Sequence, residues 1–204
     1  MTRRQVLCAH VLVIGLLFSI RPGWADDQQQ ITLAHSLSFV DATGAAVTTD
    51  DFAGKWLLIY FGYTHCADQC PTALSSIVEA LDDIGPASDR IQPLFITVDP
   101  DRDHGPALAA FTRAFDTRLV GLTGSMDQIA AAAHALGIKY ERVFADSDDY
   151  VIDHSTTLTV IGPDRHQAVT FAMAEPYMIA QKLIAILDQA GVALGNVNNL
   201  GAWR

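Results

Sequence analysis

The chain has 204 residues, half of them hydrophobic, 8% aromatic and 18% charged. That composition excludes a disordered, collagenous or low-complexity protein, and the length suits one domain with one core. A formal net charge of −10 argues against a nucleic-acid partner or an anionic membrane surface.

Arg3 and Arg4 precede an apolar run from Val6 to Ile20, and Trp24-Ala25 follows. A positive start, an apolar stretch and small residues before a cut after Ala25 make an export signal. The run is shorter than the roughly 20 residues of a membrane span. Residues 1–25 therefore read as a signal peptide, with a retained anchor as the alternative. Thr2 to Leu7 is also similar to a twin-arginine export signal. Either route predicts an exported protein, periplasmic or tethered to the outer face of the inner membrane. Cleavage leaves 179 residues with 10 basic and 23 acidic side chains and two cysteines, Cys66 and Cys70. Two cysteines are too few for a disulfide scaffold, so chemistry is the better reading.

Residues 26–36 are polar and predict a flexible tether. Leu37 to Val40 and Ala45 to Val47 flank Asp41-Ala-Thr-Gly44 and read as a β-hairpin. Trp56 to Phe61 is a continuous apolar run, the mark of a strand buried on both faces, and Leu94 to Val98 is a second. Between them, Pro71 to about Ile84 repeats apolar residues at helical spacing. Helices are expected over 106–115 and from a Ser125 cap to Leu136, which Gly137 ends. Strands are expected over 119–122, 138–144, 158–161 and 168–171, and a last helix over 176–189. Alternating strands and helices predict an α/β fold with a central mixed β-sheet flanked by helices. The domain is expected over 37–190, and 191–204 reads as a loose tail.

Cys66 and Cys70 follow a buried strand and precede a helix. Proline is tolerated only in a helix's first turn, so Pro71 places the helix start near Cys70. Both sulfurs then lie near helix N-terminal amides, which predicts thiolate character. The pair fits a disulfide redox couple, a soft-metal site or a structural disulfide. The short loop weakens the last, because cross-links stabilise more across longer loops. A carboxyl edge of a sheet is also where α/β ligand sites form. Two thiolates make an incomplete metal site, and imidazole is the usual complement for copper or zinc. Among the histidines, His154 stands before the apolar strand 157–161 and is site-facing. Asp153 is available to orient it. His65 adjoins Cys66 and is a candidate ligand or electrostatic tuner. Asp68 reads as a loop-ordering or capping carboxylate, with redox tuning or partner contact as its functional alternative. Asp99, Asp101 and Asp103 read as a turn and cap, and Met173 as core.

Four blocks carry a resemblance. They are Phe61-Gly-Tyr-Thr-His-Cys66-Ala-Asp-Gln-Cys70-Pro71, Phe95-Ile-Thr-Val-Asp99-Pro-Asp101-Arg-Asp103, Val120-Gly-Leu-Thr-Gly124 and Val151-Ile-Asp-His154-Ser155. In this order they resemble the SCO/SenC family, over roughly residues 37–164. The resemblance implies a thioredoxin-like fold, and a copper metallochaperone that assists assembly of the CuA centre of cytochrome c oxidase. It maps Cys66, Cys70 and His154 onto the ligands of Cu(I) or Cu(II). Implied partners are the oxidase subunit carrying CuA, a copper donor protein and an exported thiol reductant. The alternative is a thiol-disulfide oxidoreductase that reduces partner cysteines. It needs Cys66 and Cys70 as a redox-active pair but not His154. The chain departs from the family's pattern at Ala67, usually Pro, and at Arg165-His166, where the turn usually has Gly. Ser155 stands where thioredoxin-type reductases carry a cis-proline.

Overall fold

A computed structural model describes residues 28–144 and 150–194. Residues 1–25, expected as a signal peptide, and the tail residues 195–204 lie outside the described residues. Among those described, no helix is long and apolar enough to cross a membrane.

The strands are β1 (Gln29–Thr32), β2 (Ser38–Val40), β3 (Ala46–Thr48), β4 (Trp56–Gly62), β5 (Ile91–Thr97), β6 (Val120–Leu122), β7 (Tyr140–Phe144), β8 (Tyr150–His154), β9 (Thr157–Ile161) and β10 (Gln167–Ala172). The helices are α1 (Gln69–Ile84), α2 (Gly105–Phe115), α3 (Met126–Ala135) and α4 (Pro176–Gln189). Six strands form one mixed sheet in the order β1-β10-β9-β4-β5-β6. β4 runs parallel to β5 and antiparallel to β9. The apolar runs explain this centre: from Leu57 to Gly62 every residue of β4 is buried. Such a strand needs cover on both faces, and the helices supply it. α1 and α4 pack on one another. Pro71 lies in the first turn of α1, as its missing N–H requires.

β2 and β3 form the expected hairpin. A second hairpin, β7–β8, was not expected as such. The sequence predicts a strand over 138–144 and places His154 before the strand 157–161, with no strand expected over 150–154. Tyr150-Val-Ile-Asp-His154 instead alternates, with Ile152 and His154 inward and Val151 and Asp153 outward. The tether also needs correction. Residues 29–32 form β1, an edge strand antiparallel to β10. Its single half-buried apolar residue, Ile31, gave little signal, and pairing with β10 supplies the order.

Gly162-Pro-Asp-Arg165 turns between β9 and β10. Arg165 occupies the left-handed region, with φ 62°. Its buried guanidinium donates to the carbonyls of Thr49, Phe52, Lys55 and Gly162. The side chain thus gathers loop carbonyls that have no ladder partner, which offsets the backbone strain.

Candidate metal centre

Three elements converge at the carboxyl ends of β4 and β8. Cys66 lies in the loop from β4 to α1, and its amide donates to the Tyr63 carbonyl at 3.3 Å. Cys70 is the second residue of α1, fully buried, and its amide donates to Cys66 Sγ at 3.4 Å. His154 ends β8. Its ring is held edge-on by Tyr60 and Tyr63, each with centroids 6.0 Å away. Cys70 Sγ and His154 Nε2 stand 3.5 Å apart. The two sulfurs and one ring nitrogen all lie within 4.8 Å of one another.

Gly62 is a condition of this arrangement. A Cβ there would meet Cys70 Sγ and Phe95 Cε2, each at 2.8 Å. The last residue of β4 must therefore lack a side chain for the sulfur to reach its place.

Both cysteines are free thiols, so the structural-disulfide alternative does not describe this state. The expectation of thiolate character is overturned for Cys70. Burial pushes its thiol up to about 12, against the opposing pull of the Tyr63 backbone amide. Desolvation disfavours the charged form more than one helix terminus favours it. Burial likewise pulls the His154 imidazole below its ordinary value, opposed by its contacts with Ser155 and Asp153. The pair is neutral at neutral pH. His154 Nδ1 lies 3.1 Å from the Ser155 carbonyl. With the proton on Nδ1, it donates there, and Nε2 keeps its lone pair toward Cys70. Ser155 is itself pinned: its amide donates to the Lys139 carbonyl at 2.8 Å.

The remaining candidates sit around these three. Asp153 faces outward from β8, opposite Glu141, and acts on His154 through charge, while the Ser155 carbonyl does the orienting. His65 is exposed, and its Nδ1 lies 3.1 Å from Thr64 Oγ1 and 3.7 Å from Asp103. It lies outside the group of three. Asp68 takes the N-cap position of α1, but its side chain makes no capping hydrogen bond, so the capping reading is corrected. Its carbonyl accepts from the Thr72 amide. Beside the site a cleft of about 410 Å³ is lined by Tyr60, Asp68, Thr156, Met173 and Glu175 among others. Met173 packs half-buried on the core.

Residues 99–103 do form a turn, but they do not cap α2, whose N-cap is His104. Asp99 and Asp103 are fully buried and bonded to other segments, which the turn-and-cap reading missed. Tyr60 and Tyr63 were missed as well. Their only sequence signal was membership of the strand and loop that lead to Cys66.

The donor set fits a soft ion. Two sulfurs and an imidazole nitrogen suit copper(I) or zinc, and hard-cation oxygen ligands are not among the three.

A family model described as SCO1/SenC matches residues 25–188. The human mitochondrial protein SCO2 homolog is 42% identical over 128 residues, which is 61% of this chain and 48% of that protein. The chain spans about half the length of the curated relatives it matches first. Among solved structures, Arabidopsis thaliana ScoI with copper bound superposes with a TM-score of 0.71 at 29% identity, covering 76% of this chain and 98% of that one. Bradyrhizobium japonicum ScoI with copper bound does so at 0.66 and 33%, with the same coverage. The fold is thus thioredoxin-like, with a central mixed sheet flanked by helices.

Proposed function

Because this chain belongs to the SCO1/SenC family, we propose that it is a copper metallochaperone, with Cys66, Cys70 and His154 as the ligands of its cargo. The observation that carries this reading is the convergence of two sulfurs and one imidazole nitrogen within 4.8 Å. Relatives of the same fold have been solved with copper bound, and a sulfur-rich three-atom set favours Cu(I). Delivery to the CuA-bearing subunit of cytochrome c oxidase, on the periplasmic side of the inner membrane, is part of the same proposal and is supported by family membership and the signal-like N-terminus. A copper donor protein and an exported thiol reductant complete the scheme, since an oxidised pair offers no thiolates.

The site's chemistry supports transfer rather than storage. Cys66 is half-buried and sits on a loop, whereas Cys70 and His154 are inside. An incoming partner ligand meets the Cys66 side first, and ligands exchange there stepwise. The Cys70 proton must leave when copper arrives, so loading releases protons.

The test is copper stoichiometry on the reduced protein, wild type beside His154→Ala. Tight binding of one copper, lost or strongly weakened in the variant, is the expected outcome. Equal binding by both removes His154 as a ligand, and no binding by the wild type overturns the chaperone reading.

One observation favours a second activity of the same pair. The Cys70 amide lies on Cys66 Sγ, and the accessible sulfur is the outer one. Cys66 as thiolate attacks a partner disulfide and releases one partner sulfur as thiolate; Cys70 gives its proton to solvent, closes on Cys66 and expels the second partner sulfur. The partner gains two electrons and two protons, and the exported reductant restores the pair. This thiol-disulfide exchange does not need His154 and survives the same variant.

A further inference from the structure

We propose that Asp103 is a positioning residue of the metal centre, holding the Cys66 loop in register with the hairpin that carries His154. The inference rests on the copper reading above and deepens it.

Asp103 is 1% exposed and lies 39 residues from the loop it binds. Its carboxylate accepts from the Thr64 amide at 2.7 Å, from the Thr64 hydroxyl, and from Thr97 Oγ1 at 2.7 Å. Thr97 ends β5, so one carboxylate fastens the loop two residues before Cys66 to the sheet. A buried carboxylate is costly unless donors surround it. These donors come from the metal-site loop and the neighbouring strand, and α2 receives no cap from it.

The same turn grips the opposite arm of the site. The Asp103 amide donates to the Asp99 carbonyl at 2.9 Å. Asp99 accepts from the Tyr150 hydroxyl at 2.6 Å and from Arg102. Arg142 of β7 reaches Asp101 at 2.6 Å. Arg102 and Arg142 also stack on the Tyr150 ring, at 3.9 and 4.8 Å. Tyr150 opens β8, and His154 closes it. The turn 99–103 is therefore a bracket with Cys66 on one side and His154 on the other. Cys70, seated in the core by α1 and Gly62, needs no such support.

The bracket is tested on the full reduced protein with Asp103→Asn, Thr64→Val and the double variant. Asp116→Asn, which breaks a distant ion pair, serves as a stability control. The first readout needs no copper: the rate of Cys66 alkylation by iodoacetamide, resolved from Cys70 by peptide mapping. The second is copper affinity together with the thiolate-to-copper(II) absorption band. Asp103→Asn and Thr64→Val are each expected to raise the alkylation rate at least fivefold, weaken copper at least tenfold and shift the band. The double variant is expected to match the worse single one, because both changes cut one connection. Asp103→Asn that lowers melting temperature but moves neither readout beyond the control overturns the proposal. If Asp103→Asn does not fold, Thr64→Val carries the same decision. Failure of the wild type to bind copper strikes the function reading alone. The alkylation rates then still decide whether Asp103 holds the loop.

Discussion

Cys70 and His154 are 84 residues apart in the chain, yet Sγ and Nε2 stand 3.5 Å from one another, each neutral because each is buried. The contact joins the first turn of α1 to the end of β8. It is a hydrogen bond from a thiol to an imidazole whose other nitrogen is occupied by Ser155.

The burial of His154 has a consequence for metal-free stability. Its folded pKa lies below 6.5, so below that pH the unfolded chain binds a proton that the folded one refuses. Stability from this group is present above pH 6.5 and is lost as pH falls toward the folded value, by at most ~1.4 kcal/mol per pH unit. Urea unfolding of the reduced, metal-free protein between pH 8 and 5 should show the wild type losing stability relative to His154→Gln. A wild-type–variant difference that stays constant with pH contradicts the assignment.

Gly62→Ala tests how tightly the buried sulfur is placed. The added methyl meets Cys70 Sγ and Phe95 at 2.8 Å and Tyr60 Cε1 at 3.2 Å. Overpacking of this kind costs ~1–3 kcal/mol. Gly121→Ala is the matched control, since its Cβ would meet Leu108 at 2.9 Å and Thr112 at 3.0 Å, away from the site. Both variants should lose similar stability, and Gly62→Ala alone should weaken copper binding, by about tenfold or more. Equal copper affinity in the two variants would show that the sulfur has room to move.

The central sheet was legible because β4 is written as a continuous apolar run and β5 carries the buried Leu94-Phe95-Ile96, and Pro71 marked the start of α1. Cys66 and Cys70 were legible as chemistry from their spacing, and His154 from its place before β9. What escaped was set by distance along the chain. Nothing local to Asp103 says that Thr64 will lie on it. The raised Cys70 thiol escaped because a helix N-terminus is visible in sequence and burial is not. β1 escaped because three of its four residues are exposed, so only its pairing with β10 defines it.

Arg165→Gly sets strain relief against hydrogen bonding. Glycine removes a left-handed penalty of ~1–2 kcal/mol. It also removes donors to four carbonyls, and hydrogen bonds involving a charged group contribute ~1.5–3 kcal/mol each. The bonds outweigh the strain, so the variant should be destabilised by at least ~2 kcal/mol, or ~4–8 °C in Tm for a domain of this size. A melting temperature equal to or above wild type would mean that the guanidinium contributes nothing net.

Asp116 and Arg118 give an acid-range signature remote from the metal centre. The Arg118 side chain beside Asp116 holds its carboxyl below the usual aspartate value. Arg118 Nε and Nη2 reach the two carboxylate oxygens at 2.9 and 2.7 Å, and Nη2 also reaches Asp82 of α1 at 2.6 Å. A lowered folded pKa means stability present above the unfolded value near 3.8 and lost as pH falls through the folded one. Arg118 is about a third exposed, so solvent limits the effect to ~1 kcal/mol. Asp116→Asn should therefore be less stable than wild type by about that amount at pH 7. Denaturant midpoints measured from pH 7 into the acid range should begin to converge as pH falls below 3.8, because the unfolded carboxylate takes up its proton first and the folded one follows at lower pH. A gap that does not narrow at all between pH 4 and the acid limit of folding would assign the loss to packing rather than to the charge.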